Sequence, residues 1–278
     1  MPPRPQAARS GSPSLAYGIV VVIFDLDGVI YRGQLTLPHA VETIRWLQEH
    51  ALATRFLTNN STKSRTHYVR RLRAIGIPCR GDDIMSSAYA TALYLQEKGY
   101  RGARTFVVGE RGLATELRQA GLEVVDDPHG RRVDLVVVGL DRRFNYHTLA
   151  AAQQAIFRGA KFIATNADNT FPAEEHILPG GGAVVAAIAA ASGVRPVVVG
   201  KPKVYMIRKI LQAEQVRPDQ ALMIGDRLDT DIAGARGLGW DSLLVLTGVT
   251  SAGDLASSDI RPTYVAEDLR ALADGVLQ

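Results

Sequence analysis

The sequence is poor in the residues that would build a cross-linked or thiolate-bound protein. Its 278 residues include one cysteine, Cys79. That excludes an intrachain disulfide and any cysteine-rich metal site, and it favours a reducing compartment. No apolar run approaches the ~20 residues needed to span a bilayer. Dense Lys/Arg runs and aromatic-basic interleaving are also missing, so the net charge of +4 does not argue for nucleic acid. Arg4 and Arg9 contribute to that charge from the leading stretch. The weak basic balance suits a small anionic substrate instead. The six histidines show no ligand spacing and read as structural or surface residues. Residues 1–14, rich in Pro, Ser, Ala and Arg, lack the apolar core of a secretory signal and read as a disordered tail. A cytoplasmic protein that binds neither nucleic acid nor membrane is the expectation.

What the chain does have is apolar content of 46%, enough for a substantial core, in a length that suits one large domain or two ordinary ones. Strand and helix patterns alternate, which argues for a parallel sheet with crossover helices. The run Ile19-Val20-Val21-Val22-Ile23 reads as a buried parallel strand. A helix over 38–50, the strand 54–57 and a basic helix over 65–75 follow, the last stopped by Gly76 and Pro78. The middle of the chain carries its own set: helices over 88–97, 112–120 and 146–157, and strands over 105–108, 122–125, 134–139 and 161–165. A Pro/Gly-rich loop ending Pro179-Gly-Gly-Gly leads to an alanine-rich helix over 183–192. This block reads as a smaller α/β domain inserted into the first. The boundaries expected are 15–85 and 187–278 for the larger domain and 86–186 for the insertion. The last third returns to the opening style, with strands at 197–199, 222–224, 242–246 and 263–266.

Four strands assigned to the larger domain end in polar clusters: Asp25 with Asp27, Thr58 with Asn59 and Asn60, Lys201, and Asp226 with Asp229 and Asp231. In open α/β sheets ligands bind at the carboxyl ends of strands. Asp25 and Asp27 are two apart, so extended chain points them to one side, and Gly28 allows a sharp turn behind them. Taken singly, each cluster reads as ordinary turn or capping chemistry, and Asp229 and Asp231 as helix N-terminal acids. Taken together they put several acids, a lysine and a hydroxyl in one crevice. Two like charges 4 Å apart repel by about 4 kcal/mol at an effective dielectric of 20. Converging acids therefore call for a cation, and an all-oxygen donor set suits Mg²⁺, which commonly bridges to phosphate. One carboxylate can then attack phosphorus, and the second can protonate the leaving group and later activate water.

These residues carry a resemblance. Asp25-Leu-Asp27-Gly, Thr58-Asn-Asn, Lys201-Pro and Gly225-Asp226-Arg-Leu-Asp-Thr-Asp231 resemble, in order, the four motifs of phosphatases of the haloacid dehalogenase superfamily. The long interval from Thr58 to Lys201 holds the insertion, the type II cap arrangement. The runs 139–146, 165–172 and 179–183 resemble the IIA branch, which includes 4-nitrophenyl, phosphoglycolate, pyridoxal phosphate and nucleotide phosphatases. The resemblance covers nearly the whole chain after the tail, with no departure at a catalytic position. It implies a Rossmann-like core with an inserted cap, and Mg²⁺ as cofactor. It also implies Asp25 as nucleophile and metal ligand, and Asp27 as general acid/base and carbonyl ligand. Thr58 and Asn59 would hold the phosphoryl oxygens with Asn60 beside them, and Lys201 would neutralise those oxygens. Asp226 would be the third protein ligand of the metal, Asp231 would orient a water or Lys201, and Asp229 would support the loop.

Specificity would come from the cap. The loop 166–172 follows a strand of the insertion and could reach over the site; Phe171 within it could act there or fill the cap core, and both readings stay open. Pyridoxal phosphate phosphatases of this branch tend to carry histidine there, so that substrate is disfavoured. The glycine run after Pro179 reads as a hinge, with anion binding at the helix start as the other use. The resemblance makes a homodimer through the cap plausible. The expected activity is hydrolysis of a small phosphorylated metabolite, such as phosphoglycolate, glycerol phosphate, a sugar phosphate or a nucleoside monophosphate. Rival readings are a dehalogenase or phosphomutase of the same superfamily, or a non-catalytic phosphate-binding regulator. A regulator would be expected to lack Asp25 or Asp27, and this chain has both.

Overall fold

In the computed structural model, residues 18–126, 128, 132–172 and 176–274 are described. The tail expected over 1–14 lies outside them. The chain opens with β1 (Val21–Asp25), a hairpin of β2 (Tyr31–Arg32) and β3 (Leu35–Thr36), α1 (Ala40–Glu49), β4 (Ala53–Thr58), α2 (Arg65–Ala74), β5 (Ile84–Ser86) and α3 (Ser87–Glu97). The middle contributes β6 (Arg104–Val108), α4 (Arg111–Gln119), β7 (Glu123–Val125), β8 (Leu135–Val138), α5 (Tyr146–Phe157) and β9 (Lys161–Ala164). A hairpin of β10 (Thr170–Pro172) and β11 (Ile177–Pro179), α6 (Gly181–Ser192) and β12 (Val197–Val198) follow. The last part holds α7 (Tyr205–Glu214), β13 (Ala221–Gly225), a π-helical turn over Leu228–Ile232, α8 (Ala233–Arg236), β14 (Asp241–Val245), α9 (Ala252–Ser257), β15 (Tyr264–Ala266) and α10 (Arg270–Asp274).

Two parallel sheets organise these elements. The larger has the order β15-β14-β13-β1-β4-β5, and every pairing in it is parallel. All five residues of β1 are buried, as expected of a central strand covered on both faces. Its alternate residues serve different cores. Val22 and Phe24 join Ile44, Leu47, Leu72 and Leu272 on the α1/α2/α10 side. Val21 and Ile23 join Met206, Ile207 and the alanines of α3 on the other. The smaller sheet has the order β12-β9-β8-β6-β7, also all parallel. One of its faces packs on α5 and α6 through Ala152, Ile156, Val185 and Ile188. The other shares a core with α3 and α4, so Leu135, Val137 and Ile163 sit in the same cluster as Val21 and Ile23.

Two expectations are corrected here. The strand at Val197–Val198 belongs to the smaller sheet, where Val197 and Val198 pair with Ile163 and Ala164. A short all-valine strand fits either sheet, and nothing local decides between them. The expected return to the larger unit at residue 187 falls inside α6, whose Val184, Val185 and Ile188 pack in the core of the smaller sheet.

The strand order fixes where a ligand can sit. From β1 the chain moves through β4 to β5 on one side, then comes back through β13 to β14 and β15 on the other. The reversal opens a crevice between the carboxyl ends of β1 and β13, the topological switch point at which α/β sheets bind ligands. Asp25 ends β1, and Asp226 follows β13 directly.

Candidate active site

Close backbone packing builds the crevice. Gly28 turns the chain behind Asp25 with φ of +92°, and a Cβ there would lie 2.3 Å from Asp226 Oδ2. Only glycine meets both demands. A Cβ on Gly225 would lie 2.2 Å from the Asp231 Cβ, so the turn after β13 folds Asp231 tightly back onto its own strand. Asn59, just past β4, holds Lys201 through paired bonds. Lys201 N donates to Asn59 Oδ1 at 2.8 Å, and Asn59 Nδ2 donates to Lys201 O at 3.0 Å. The smaller sheet's last strand thus delivers Lys201 into the larger sheet's crevice.

There the Lys201 ammonium donates to Asp25 Oδ1 at 2.5 Å and to Asp231 Oδ1 at 2.6 Å, with Lys201 only 2% exposed. Carboxylate oxygens of Asp25, Asp226 and Asp231 all lie within 4.8 Å of one another. Three ionised acids against one ammonium leave the cluster two charges negative. Asp226 Oδ2 accepts from Val249 N at 2.7 Å, but its Oδ1 is buried without a partner among the described residues. Asp231 has both oxygens engaged, Oδ1 by Lys201 and Oδ2 by Arg227 N at 3.2 Å. A buried, unpartnered carboxylate oxygen in a cluster of acids is the donor chemistry of a hard divalent cation. Burial pushes the Asp226 carboxyl up to about 7, with the Asp231 charge adding to it. Burial likewise raises Asp25, against the pull of Lys201.

The Asp27 side chain stands outside that carboxylate cluster. Burial raises it to about 6, opposed by Arg71 and by hydrogen bonds from the side chains of Asn60 and Thr58. Thr58 Oγ1 also accepts from Asn60 N at 3.0 Å, and Asn60 Oδ1 accepts from Thr62 N at 3.0 Å. The Tyr68 hydroxyl donates to Asn60 O at 2.8 Å. Two acids two residues apart therefore sit in different surroundings: Asp25 is bonded to an ammonium, whereas Asp27 is bonded by the neutral side chains of Asn60 and Thr58, with the Arg71 charge acting on it.

A cavity of about 50 Å³, several waters' worth, lies over these groups, and Asn166, Asp168, Thr170, Phe171, Gly180 and Gly181 form one of its walls. Asp25, Asp27, Thr58, Asn59, Asn60, Lys201 and Phe171 all line it. Phe171 is absent from the apolar core of the smaller sheet, which favours its reading as a wall of the cavity. Asp229 does not reach it. Its carboxylate is 67% exposed and pairs with Arg227. Several lining groups were not singled out by motif reasoning, although the loop 166–172 that carries three of them was expected over the site. Asn166 Nδ2 donates to Asn59 O at 2.7 Å, and Asp168 accepts from Asn59 Nδ2 at 2.9 Å. Arg227 Nη1 crosses to Thr170 Oγ1 at 3.2 Å. Their signal was in view, since Arg227 follows Asp226 and the others lie in the polar run 165–172 after a strand. The glycine run after Pro179 serves close approach: a Cβ on Gly180 would lie 2.2 Å from Asp168 O, and Gly182 N donates to that carbonyl at 2.8 Å. The loop backbone, rather than an anion, takes that donor at the start of α6.

Comparison with known proteins agrees with this geometry. Residues 22–123 match the haloacid dehalogenase-like hydrolase family, and residues 198–272 match a second family described as HAD-hydrolase-like. An acid sugar phosphatase of Staphylococcus epidermidis is 37% identical over 247 residues, covering 89% of this chain and 94% of that protein. A p-nitrophenyl phosphatase from Archaeoglobus fulgidus superposes with a TM-score of 0.85 at 36% identity, over 92% of this chain and 98% of that one. A glycerol phosphate phosphatase from Mycobacterium tuberculosis, in complex with magnesium, gives 0.83 at 38% identity, over 92% and 76% of the two chains.

Proposed function

Because the chain belongs to the haloacid dehalogenase-like hydrolases, and within them to the phosphomonoester hydrolases, we propose a Mg²⁺-dependent phosphatase that works through an aspartyl-phosphate on Asp25. The substrates we assign are small phosphomonoesters of the sugar phosphate, glycerol phosphate or 4-nitrophenyl phosphate kind. The observation that carries this reading is the buried cluster in which Lys201 bridges Asp25 and Asp231 while Asp226 Oδ1 has no partner among the described residues. The second sheet with α4, α5 and α6 we take as the cap.

The residues divide the work as follows. Thr58 and Asn59, at the end of β4, orient the phosphoryl oxygens, and Lys201 neutralises them. An Asp25 oxygen attacks phosphorus, the bond to the leaving oxygen breaks, and Asp27 gives that oxygen its proton. Asp27, now a carboxylate, takes a proton from the incoming water, whose oxygen attacks phosphorus and releases Asp25. Asp27 is suited to both steps because burial holds its carboxyl near 6, close to working pH. Asp231 keeps the ammonium aimed at Asp25. Asp25 and Asp226, with the Asp27 carbonyl, would hold Mg²⁺, which supplies positive charge against the phosphoryl group. Phosphoryl transfer depends mostly on such positioning and charge stabilisation. Residues of the 166–171 loop wall one side of the cavity and limit the water that reaches the intermediate.

Phosphate release from a panel of phosphomonoesters, with Mg²⁺ and with EDTA, tests the reading. Release that needs the metal and prefers one class of leaving group is expected. Absence of release from every compound with metal present would favour a binding protein on this fold.

A further inference from the structure

The β2–β3 hairpin sits beside the acid cluster, and no motif includes it. From β2, the half-buried Arg32 reaches across to the loop after β14. Its Nη2 donates to Thr247 O and to Gly248 O, each at 2.9 Å. The same loop is tied at its start, where Thr247 Oγ1 donates to Gly28 O at 2.7 Å. Beyond, it turns its donors onto Asp226. Val249 N reaches Asp226 Oδ2 at 2.7 Å, and Thr250 N reaches Asp226 O at 3.1 Å. Between these ties there is no slack. A Cβ on Gly248 would lie 1.9 Å from Asp226 Oδ2, so the backbone itself forms the wall against which that carboxylate rests.

This packing decides which oxygen of Asp226 is free. Oδ2 is taken by Val249 N and walled in by Gly28 and Gly248, which leaves Oδ1 buried and without a partner among the described residues, in a cluster where carboxylate oxygens of Asp25, Asp226 and Asp231 lie within 4.8 Å of one another. We propose that Arg32 is a positioning residue for the cation site: by clamping the 247–249 backbone it fixes the orientation in which Asp226 presents Oδ1. The proposal rests on the reading of Asp25 and Asp226 as cation ligands. Arginine suits the task because one guanidinium nitrogen serves two carbonyls in a fixed plane, whereas a lysine ammonium is a mobile point charge. Partners that orient a metal ligand typically change affinity by about 10- to 100-fold when removed.

The test compares wild type, Arg32→Lys and Arg32→Met, each stripped with EDTA. Mg²⁺ is titrated by calorimetry, metal-free melting temperatures are recorded, and phosphate release is followed against Mg²⁺ concentration. Both variants are expected to bind Mg²⁺ at least about tenfold more weakly. At saturating Mg²⁺ the kcat should return to within about twofold of wild type, since the reacting groups are untouched. Arg32→Lys retains the charge and the aliphatic stem, so it decides the matter if Arg32→Met does not fold. Gly248→Ala, which pushes a methyl group into Asp226, should weaken Mg²⁺ binding further and shows that the titration reads this carboxylate. Unchanged Mg²⁺ affinity in folded Arg32→Lys, or a kcat deficit that excess Mg²⁺ does not restore, would overturn the proposal. A wild type that binds no Mg²⁺ and turns over equally in EDTA would overturn the cation reading beneath it.

Discussion

Replacing Lys201 with methionine is the most informative perturbation of the charge balance at this site. The ammonium is 2% exposed and bonds to Asp25 and Asp231. Without it, carboxylate oxygens within 4.8 Å of one another repel by about 3.5 kcal/mol for each ionised pair at an effective dielectric of 20. Removing one partner of a buried ion pair costs about 3–5 kcal/mol, so the metal-free variant should lose stability on that scale. Proton uptake relieves part of the loss. Because burial already lifts Asp226 to about 7, the deficit should be small in mild acid and grow as the pH rises past that value. Added Mg²⁺ should restore more stability to Lys201→Met than to wild type, because it replaces the missing positive charge. Turnover should stay low even so, since the phosphoryl oxygens have lost their ammonium. Urea unfolding across pH, with and without Mg²⁺, reads all of this. A metal-free variant as stable as wild type above neutrality would refute the account of the cluster.

Further predictions concern the acids and the cap. Asp226 has a folded-state carboxyl raised from the ordinary 3.8 to about 7, and Asp25 is raised as well, so the folded protein binds the extra protons and metal-free stability falls as the pH rises above about 4, the Asp226 contribution running to about 7. The slope is about 1.4 kcal/mol per pH unit for each such acid; melting curves in EDTA should show it, and Mg²⁺ should flatten it. Asp27→Asn should cut kcat/KM, which reports the first phosphoryl transfer, by about 10²- to 10⁴-fold on glycerol or sugar phosphates, and by much less on 4-nitrophenyl phosphate, whose leaving group departs without a proton, while kcat falls on both because the water has lost its base. Equal losses of kcat/KM on both substrates in steady-state assays would remove the general-acid role. Thr170→Val deletes the acceptor for Arg227 Nη1, and should raise KM by about tenfold while leaving kcat in place. A fall in kcat with KM unchanged would count against a cap-closing contact.

The acid end of the site was legible in the sequence because strand ends and turn glycines mark it locally. An apolar run followed by Asp-Leu-Asp-Gly fixes both the strand and the break after it, and the switch-point rule then says where the acids must meet. Lys201 was legible as a site residue, but its route was not. Two valines pair as readily with β9 as with a strand of the larger sheet, and only the tertiary fold chooses. The short elements β2, β3, β5, β10, β11 and α9 also escaped, because two to six residues give too little periodicity to separate a strand or helix from a loop. Arg32 was invisible for another reason. Its partners are backbone carbonyls more than two hundred positions away, and carbonyls leave no mark in a sequence. Asp229 shows the converse: it stands in a motif, yet its carboxylate faces solvent and serves Arg227.

The central claim is that Asp25 carries the phosphoryl group between the two steps. The direct measurement is to quench the enzyme with acid during turnover, reduce it with borohydride and analyse the peptide spanning residues 21–32 by mass spectrometry. An acyl phosphate on Asp25 is reduced to homoserine, and the account predicts that conversion at Asp25 with none at Asp27. Steady phosphate release with Asp25 recovered unchanged, or conversion at another carboxylate, would contradict it.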